Sequence, residues 1–154
     1  MATFPTTGIL DTFNRANEGP PPSASWEGPS FGDSIGLKVV TNRVSADTNG
    51  WAASAWSAST FGPDCEVFAD VPVLPIATKS VNLYVRVDST TSSTYNGYAL
   101  LVESDTTDWN IAKTTAGVGS YSDIAHQAIS AGDSIGLSIV GNLLTAYYKA
   151  SGGS

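Results

Sequence analysis

VNLYVRVDSTTSSTYNGYALLVE, residues 81–103, decides the fold. In its first run Val81, Leu83, Val85 and Val87 alternate with Asn82, Tyr84, Arg86 and Asp88. Successive side chains of a pleated strand point to opposite faces, so this spelling predicts a half-buried strand. The second run, residues 98–103, is more apolar throughout, as a central strand covered on both faces would be. A Ser/Thr-rich tip and an Asn96-Gly97 step separate the runs, which predicts an antiparallel pair joined by a long polar loop. One face feeds a core. The other, carrying Tyr84 and Arg86, is a candidate binding surface.

Working outward, the same signals recur. Residues 35–45 spell a strand pair around Thr41-Asn42, and Cys65 to Val71 spell a strand with Cys65, Val67, Ala69 and Val71 on one face. The run WAASAWSAST, residues 51–60, predicts a strand that packs Trp51 and Trp56, with Trp26 in the core as well. Residues 109–113 predict a strand with Trp109, Ile111 and Lys113 on one face, followed by a glycine-rich turn at 116–120 and a short stretch at 124–129. SIGLSIVGNLLTAYYKA, residues 134–150, spells a final pair with its turn at Gly141-Asn142. Gly19-Pro20-Pro21-Pro22 forbids helix and marks a surface connection. The hexapeptide GDSIGL occurs at 32–37 and again at 132–137, which reads as the same turn-into-strand solution used twice. Many short strands separated by Gly, Pro, Ser and Asn turns, with no helical periodicity, predict an all-β antiparallel sandwich or barrel.

Composition agrees. The 154 residues fit a single domain, with 1–9 as a lead-in and 150–154 as a Gly/Ser tail. Only 14% are charged, and the net charge is −7 from 7 basic and 14 acidic residues, without a basic cluster. That argues against nucleic-acid binding by phosphate neutralisation. No run approaches the roughly 20 apolar residues of a membrane helix, and none spells a signal peptide. The single cysteine, Cys65, rules out an intrachain disulfide and reads as a small buried hydrophobe.

Three stretches stand in order along the chain: Leu10-Asp11-Thr12-Phe13-Asn14-Arg15 with a Gly/Pro loop and Trp26, then Phe61-Gly62-Pro63-Asp64-Cys65-Glu66, then Leu83-Tyr84-Val85-Arg86-Val87-Asp88 with Asn96-Gly97-Tyr98. They resemble, in turn, the D-x-F-x-R…G…W opening, the turn into an early strand and the central hairpin of the concanavalin A-like (laminin-G-like) jelly-roll domains of bacterial surface and phage structural proteins. The resemblance implies an antiparallel jelly-roll β-sandwich. It also implies a further strand and a closing Gly-rich strand after residues 143–149, whereas this sequence stops at Ser154. Either that end belongs to the natural chain and is not included, or a neighbouring chain supplies the strand, which would mean assembly.

Catalysis finds little support. The only histidine is His126, no Gly-x-Ser-x-Gly elbow surrounds a serine, and the expectation is a non-enzyme. Jelly-roll glucanases carry Glu-x-Asp-x-x-Glu, and the nearest approach is Glu66 and Asp70, on the face opposite Cys65 and without a third acid. Asp105 and Asp108 in one loop, with Glu103, offer oxygen ligands for calcium; no other cofactor is indicated. For a glycan, Tyr84, Arg86, Tyr98, Trp109, Lys113 and Tyr147 are the candidate binding residues, since sugar C–H faces stack on aromatics and hydroxyls seek planar polar partners. Two functional expectations result. One is a virion structural, decoration or adhesion module at the virion surface, assembled with copies of itself or neighbouring chains and able to bind glycans. The other is a secreted bacterial carbohydrate-binding module.

Overall fold

β7 (Gly97–Glu103) lies between β6 (Ser80–Val85) and β8 (Asp108–Thr115), and β9 (Val118–His126) completes an antiparallel four-stranded meander. A second sheet orders β5 (Cys65–Val71), β10 (Asp133–Val140) and β11 (Leu143–Lys149), with β10 central. Two small pairs precede these in sequence. β1 (Trp26–Glu27) joins β4 (Ala55–Trp56), and β2 (Leu37–Val39) joins β3 (Val44–Ala46) through Thr41 and Asn42, both at positive φ. The computed structural model describes residues 4–31, 35–46, 51–75, 79–103 and 108–153. Among them there is no helix, and every named strand pair is antiparallel.

The chain divides into two compact units. The larger comprises Met1–Thr7, Gly62–Val87 and Asn96–Ser154; the smaller comprises Gly8–Phe61 and Asp88–Tyr95.

In the larger unit the core follows from register. Val81, Leu83 and Val85 lie opposite Val102, Leu100 and Tyr98, which in turn lie opposite Trp109, Ile111 and Lys113. The other sheet contributes Ile135, Leu137 and Ile139, opposite Ala69, Val67 and Cys65 on one side and Tyr148, Ala146 and Leu144 on the other. Leu100 and Leu137 are fully buried, and both sheets share one apolar cluster with Ile129, as in a β-sandwich. β7 buries Ala99 on its other face too, in keeping with its apolar spelling. Cys65 packs half-buried against this cluster.

The smaller unit is organised around Asp11. Its carboxylate takes a two-point ion pair from Arg15 (2.6 and 3.0 Å), the indole N–H of Trp26 (2.9 Å) and the amide of Phe13 (2.8 Å). Arg15 also donates to Glu18 and to the Pro22 carbonyl. The Trp26 ring sits against Phe13 and edge-on to Trp56. Each member of the Asp-x-Phe-x-Arg…Trp opening therefore serves one closed network. Trp56 joins that cluster, but Trp51 does not pack as the sequence predicts: β4 is only two residues long, and Trp51 is 69% exposed.

Three carboxylates are held below their ordinary range. For Asp11, burial pushes the pKa up, but the hydrogen bonds from Arg15, Phe13 and Trp26 outweigh it. Glu66 behaves alike through Thr7 and Thr6. Asp133 is lowered by the amides of Ser130 and Ser151, aided by the Tyr148 hydroxyl. A depressed folded-state pKa contributes stability above the unfolded value, and that contribution disappears as pH falls through the folded value. The urea midpoint should therefore hold steady from pH 7 to about 5 and drop below about 4, with a shallower acid slope in Asp133→Asn. In the core, Leu100→Ala should cost about 2–5 kcal/mol in urea unfolding, whereas the exposed Val118→Ala should stay within about 0.5 kcal/mol.

Candidate functional site

Within the larger unit four strands face three, and the mismatch leaves an opening. β9 puts no described side chain into the shared cluster, and eight of its nine residues are exposed. Between β8–β9 and β11 lies an open cleft of about 470 Å³ lined by Trp109, Ile111, Ile124, Leu144, Ala146 and Tyr148, with Gln127 among its polar groups. Its walls are apolar because the core-facing positions of β8 and β11 continue past the last strand that could cover them. Val118, Tyr121 and Ile124, at 73%, 62% and 43% exposure, make β9 the most apolar exposed strand of the unit.

The six residues considered for glycan binding are not gathered on one surface. Tyr84 pairs with Ala99, which in turn pairs with Ala112, on the sheet face opposite Tyr98, Trp109 and Lys113. Arg86 lies beyond the end of β6 with φ at 51°, so the alternation that placed it beside Tyr84 stops at Val85. Its guanidinium instead donates to the Pro63 carbonyl and to Asp64 (3.3 Å). Asp64 also accepts the Gly141 amide at 2.8 Å, so this arginine fastens the hairpin to the turn before β5. Trp109 is 3% exposed, donates its indole N–H to the Gln127 carbonyl (2.7 Å) and meets Tyr148 edge-on. Tyr147 is stacked on Phe4 with ring centroids 3.7 Å apart. Only Trp109 and Tyr147 reach the cleft, and neither offers it an open ring face. Lys113 is exposed on β8.

Of the calcium candidates, Asp105 lies outside the described residues. Asp108 is turned towards His126, whose Nδ1 is 2.9 Å from its Oδ1, while Nε2 is 3.4 Å from Asp123 Oδ2. The three can each present one donor to a single cation, all within 4.8 Å of one another. A nitrogen in the set suits zinc, cobalt or nickel better than calcium, which takes oxygen. The imidazole already lies between the two carboxylates, so the three side chains form a surface cluster. The sequence hides it, because Asp123 and His126 are three apart and would face opposite ways on a regular strand. A bulge at Ile124, where the pairing jumps from Asn110–Asp123 to Trp109–Ala125, brings them to one face and aims Ile124 into the cleft.

Glu66 and Asp70 share the face opposite Cys65, as their spacing requires, and both are engaged. Glu66 accepts hydrogen bonds from Thr6 and Thr7, and Asp70 accepts one from Ser134. Both carboxylates thus bind groups of the chain itself.

If Trp109 and Arg86 are fasteners rather than ligand contacts, their loss should register in stability. Trp109→Ala should cost about 3–5 kcal/mol and Arg86→Ala about 1–3 kcal/mol in urea unfolding; unchanged midpoints would count against the assignment. Compared with family models, curated proteins and solved structures, the chain matches none.

Proposed function

We propose that the chain is a non-catalytic surface module of the concanavalin A-like jelly-roll kind, working by binding within an assembly such as a virion surface. Its contact surface is β9 together with the cleft beside β11. One observation carries this reading: β9 is a free, nine-residue edge strand that gives nothing to the core yet displays Val118, Tyr121 and Ile124. Exposed edges and exposed apolar side chains are costly hazards unless something covers them. A neighbouring chain covers such an edge by strand addition, with backbone hydrogen bonds giving affinity and the cleft receiving side chains.

Carbohydrate binding is the second reading, as part of an adhesion role or of a secreted module. It rests on Tyr121, whose exposed ring stands where a sugar's C–H face can stack, rather than on the six residues named from sequence.

Light scattering of the full chain across concentration separates the two readings. Assembly through β9 predicts a mass above the monomer that falls in Ile124→Glu, with the far-UV spectrum unchanged. A glycan-array signal that is lost in Tyr121→Ala, on a chain that stays monomeric throughout, favours the carbohydrate reading. A monomer without glycan binding overturns both.

A further inference from the structure

On the three-stranded sheet, the face turned away from the core is already occupied by the chain's own residues 4–7. Register builds this face in rows: Phe68, Gly136 and Tyr147 form one, and Glu66, Ser138 and Thr145 the next. The Phe4 ring lies over Gly136, stacked on Tyr147 (interplanar angle 4°) and edge-on to Phe68 at 6.2 Å. A methyl on residue 136 would come within 2.3 Å of two Phe4 ring atoms, so glycine is what makes room for the ring. One row along, Glu66 accepts the Thr6 and Thr7 amides at 2.7 Å each and both threonine hydroxyls, at 3.0 and 2.6 Å. An aromatic slot and a carboxylate that reads two successive N–H groups and two hydroxyls form a specific receptor for an aromatic–Pro–Thr–Thr segment.

We infer that this face is a segment-recognition site and that the occupant is exchangeable, the same segment of a second copy taking the place of residues 4–7. The connection leading away from Thr7 favours exchange. Thr7 is the last residue of the segment grouped with the larger unit, and Gly8, which starts the smaller one, has open space where a side chain would be. Ile9 and Leu10 then stand 66% and 51% exposed. A short segment that leaves its docking face through an exposed, unpacked connection makes the same contacts in trans as in cis, which is the low-cost route to paired copies. This surface is separate from β9, so the inference adds a second contact to the assembly reading, and either can fail alone.

The test uses the full chain carrying Phe4→Ala, Thr6→Ala and Thr7→Ala, titrated calorimetrically with the peptide Phe-Pro-Thr-Thr-Gly. Saturable binding is expected, weakened about tenfold or more when Glu66→Ala or Gly136→Ala is added. Gly136→Ala intrudes on the slot, where its methyl meets the movable ring and comes to 3.2 Å from the Val67 carbonyl oxygen, and a circular-dichroism melt verifies that each variant is folded. No saturation by a folded triple variant, or binding indifferent to Glu66 and Gly136, overturns the recognition site. For exchange, wild-type chains labelled separately with donor and acceptor dyes should develop energy transfer on mixing. Transfer should persist in Ile124→Glu and vanish in the triple variant; its absence at high concentration, or its survival in the triple variant, overturns exchange.

Discussion

The structure depends on the burial of one face of β7 between two antiparallel neighbours. Because side chains alternate, fixing Leu100 and Val102 inward commits Leu83 and Val81 on β6 and Ile111 and Trp109 on β8 to the same side. A slip of one residue would turn all of these outward at once. The facing sheet answers with Ile135, Leu137 and Ile139 from its own central strand. Two central strands thus set the sandwich, and the consequence falls on the strand added last. β9 pairs along β8 but has no share in the core, so its side chains and its far edge remain available. The proposed function follows from that imbalance rather than from a catalytic or sugar-binding constellation.

Carboxylates provide the second organising interaction. In a chain with few charges, each prominent acid collects N–H and O–H donors from near and remote parts of the sequence. Asp11 gathers Phe13, Arg15 and Trp26; Asp64 gathers Arg86 and Gly141; Glu66 holds Thr6 and Thr7; Asp133 holds Ser130, Tyr148 and Ser151. Charge-assisted bonds of this kind fix irregular segments that cannot satisfy their backbone in a ladder. The motif positions singled out in the sequence are mostly such fasteners, so they concern how the fold is closed and leave the ligand open.

Much of this was legible in the sequence because period-two alternation reports burial directly. The bounds of β5, the turn at Thr41-Asn42, the β6–β7 pair and the β10–β11 pair all follow from it. What was not legible lies where the backbone departs from the period. Arg86 continues the spelling of β6 but leaves the strand at positive φ, which no side-chain pattern announces. The turn before β9 takes only Ala116 and Gly117, so the strand starts at Val118, inside the stretch whose glycines spell a longer turn. The bulge at Ile124 reverses the facing of everything on one side of it, hiding the pairing of His126 with both Asp108 and Asp123. The two copies of GDSIGL diverge for a tertiary reason. In the second, Ile135 and Leu137 are core and Gly136 seats an aromatic ring. In the first, Ile35 and Leu37 are only half-buried, and residues 32–34 lie outside the described region.

The central claim is that β9 and the cleft beside β11 form the contact surface while β7 and β10 form the invariant core. Backbone hydrogen exchange, followed strand by strand as the full chain is concentrated, tests it most directly. The account predicts that β7 and β10 amides exchange slowly at every concentration. It also predicts that the β9 amides on the open edge, those not bonded to β8, exchange fast in dilute solution and acquire protection as copies associate. Slow exchange of those amides in the dilute monomer, or protection that appears on association everywhere except β9 and β11, would contradict it.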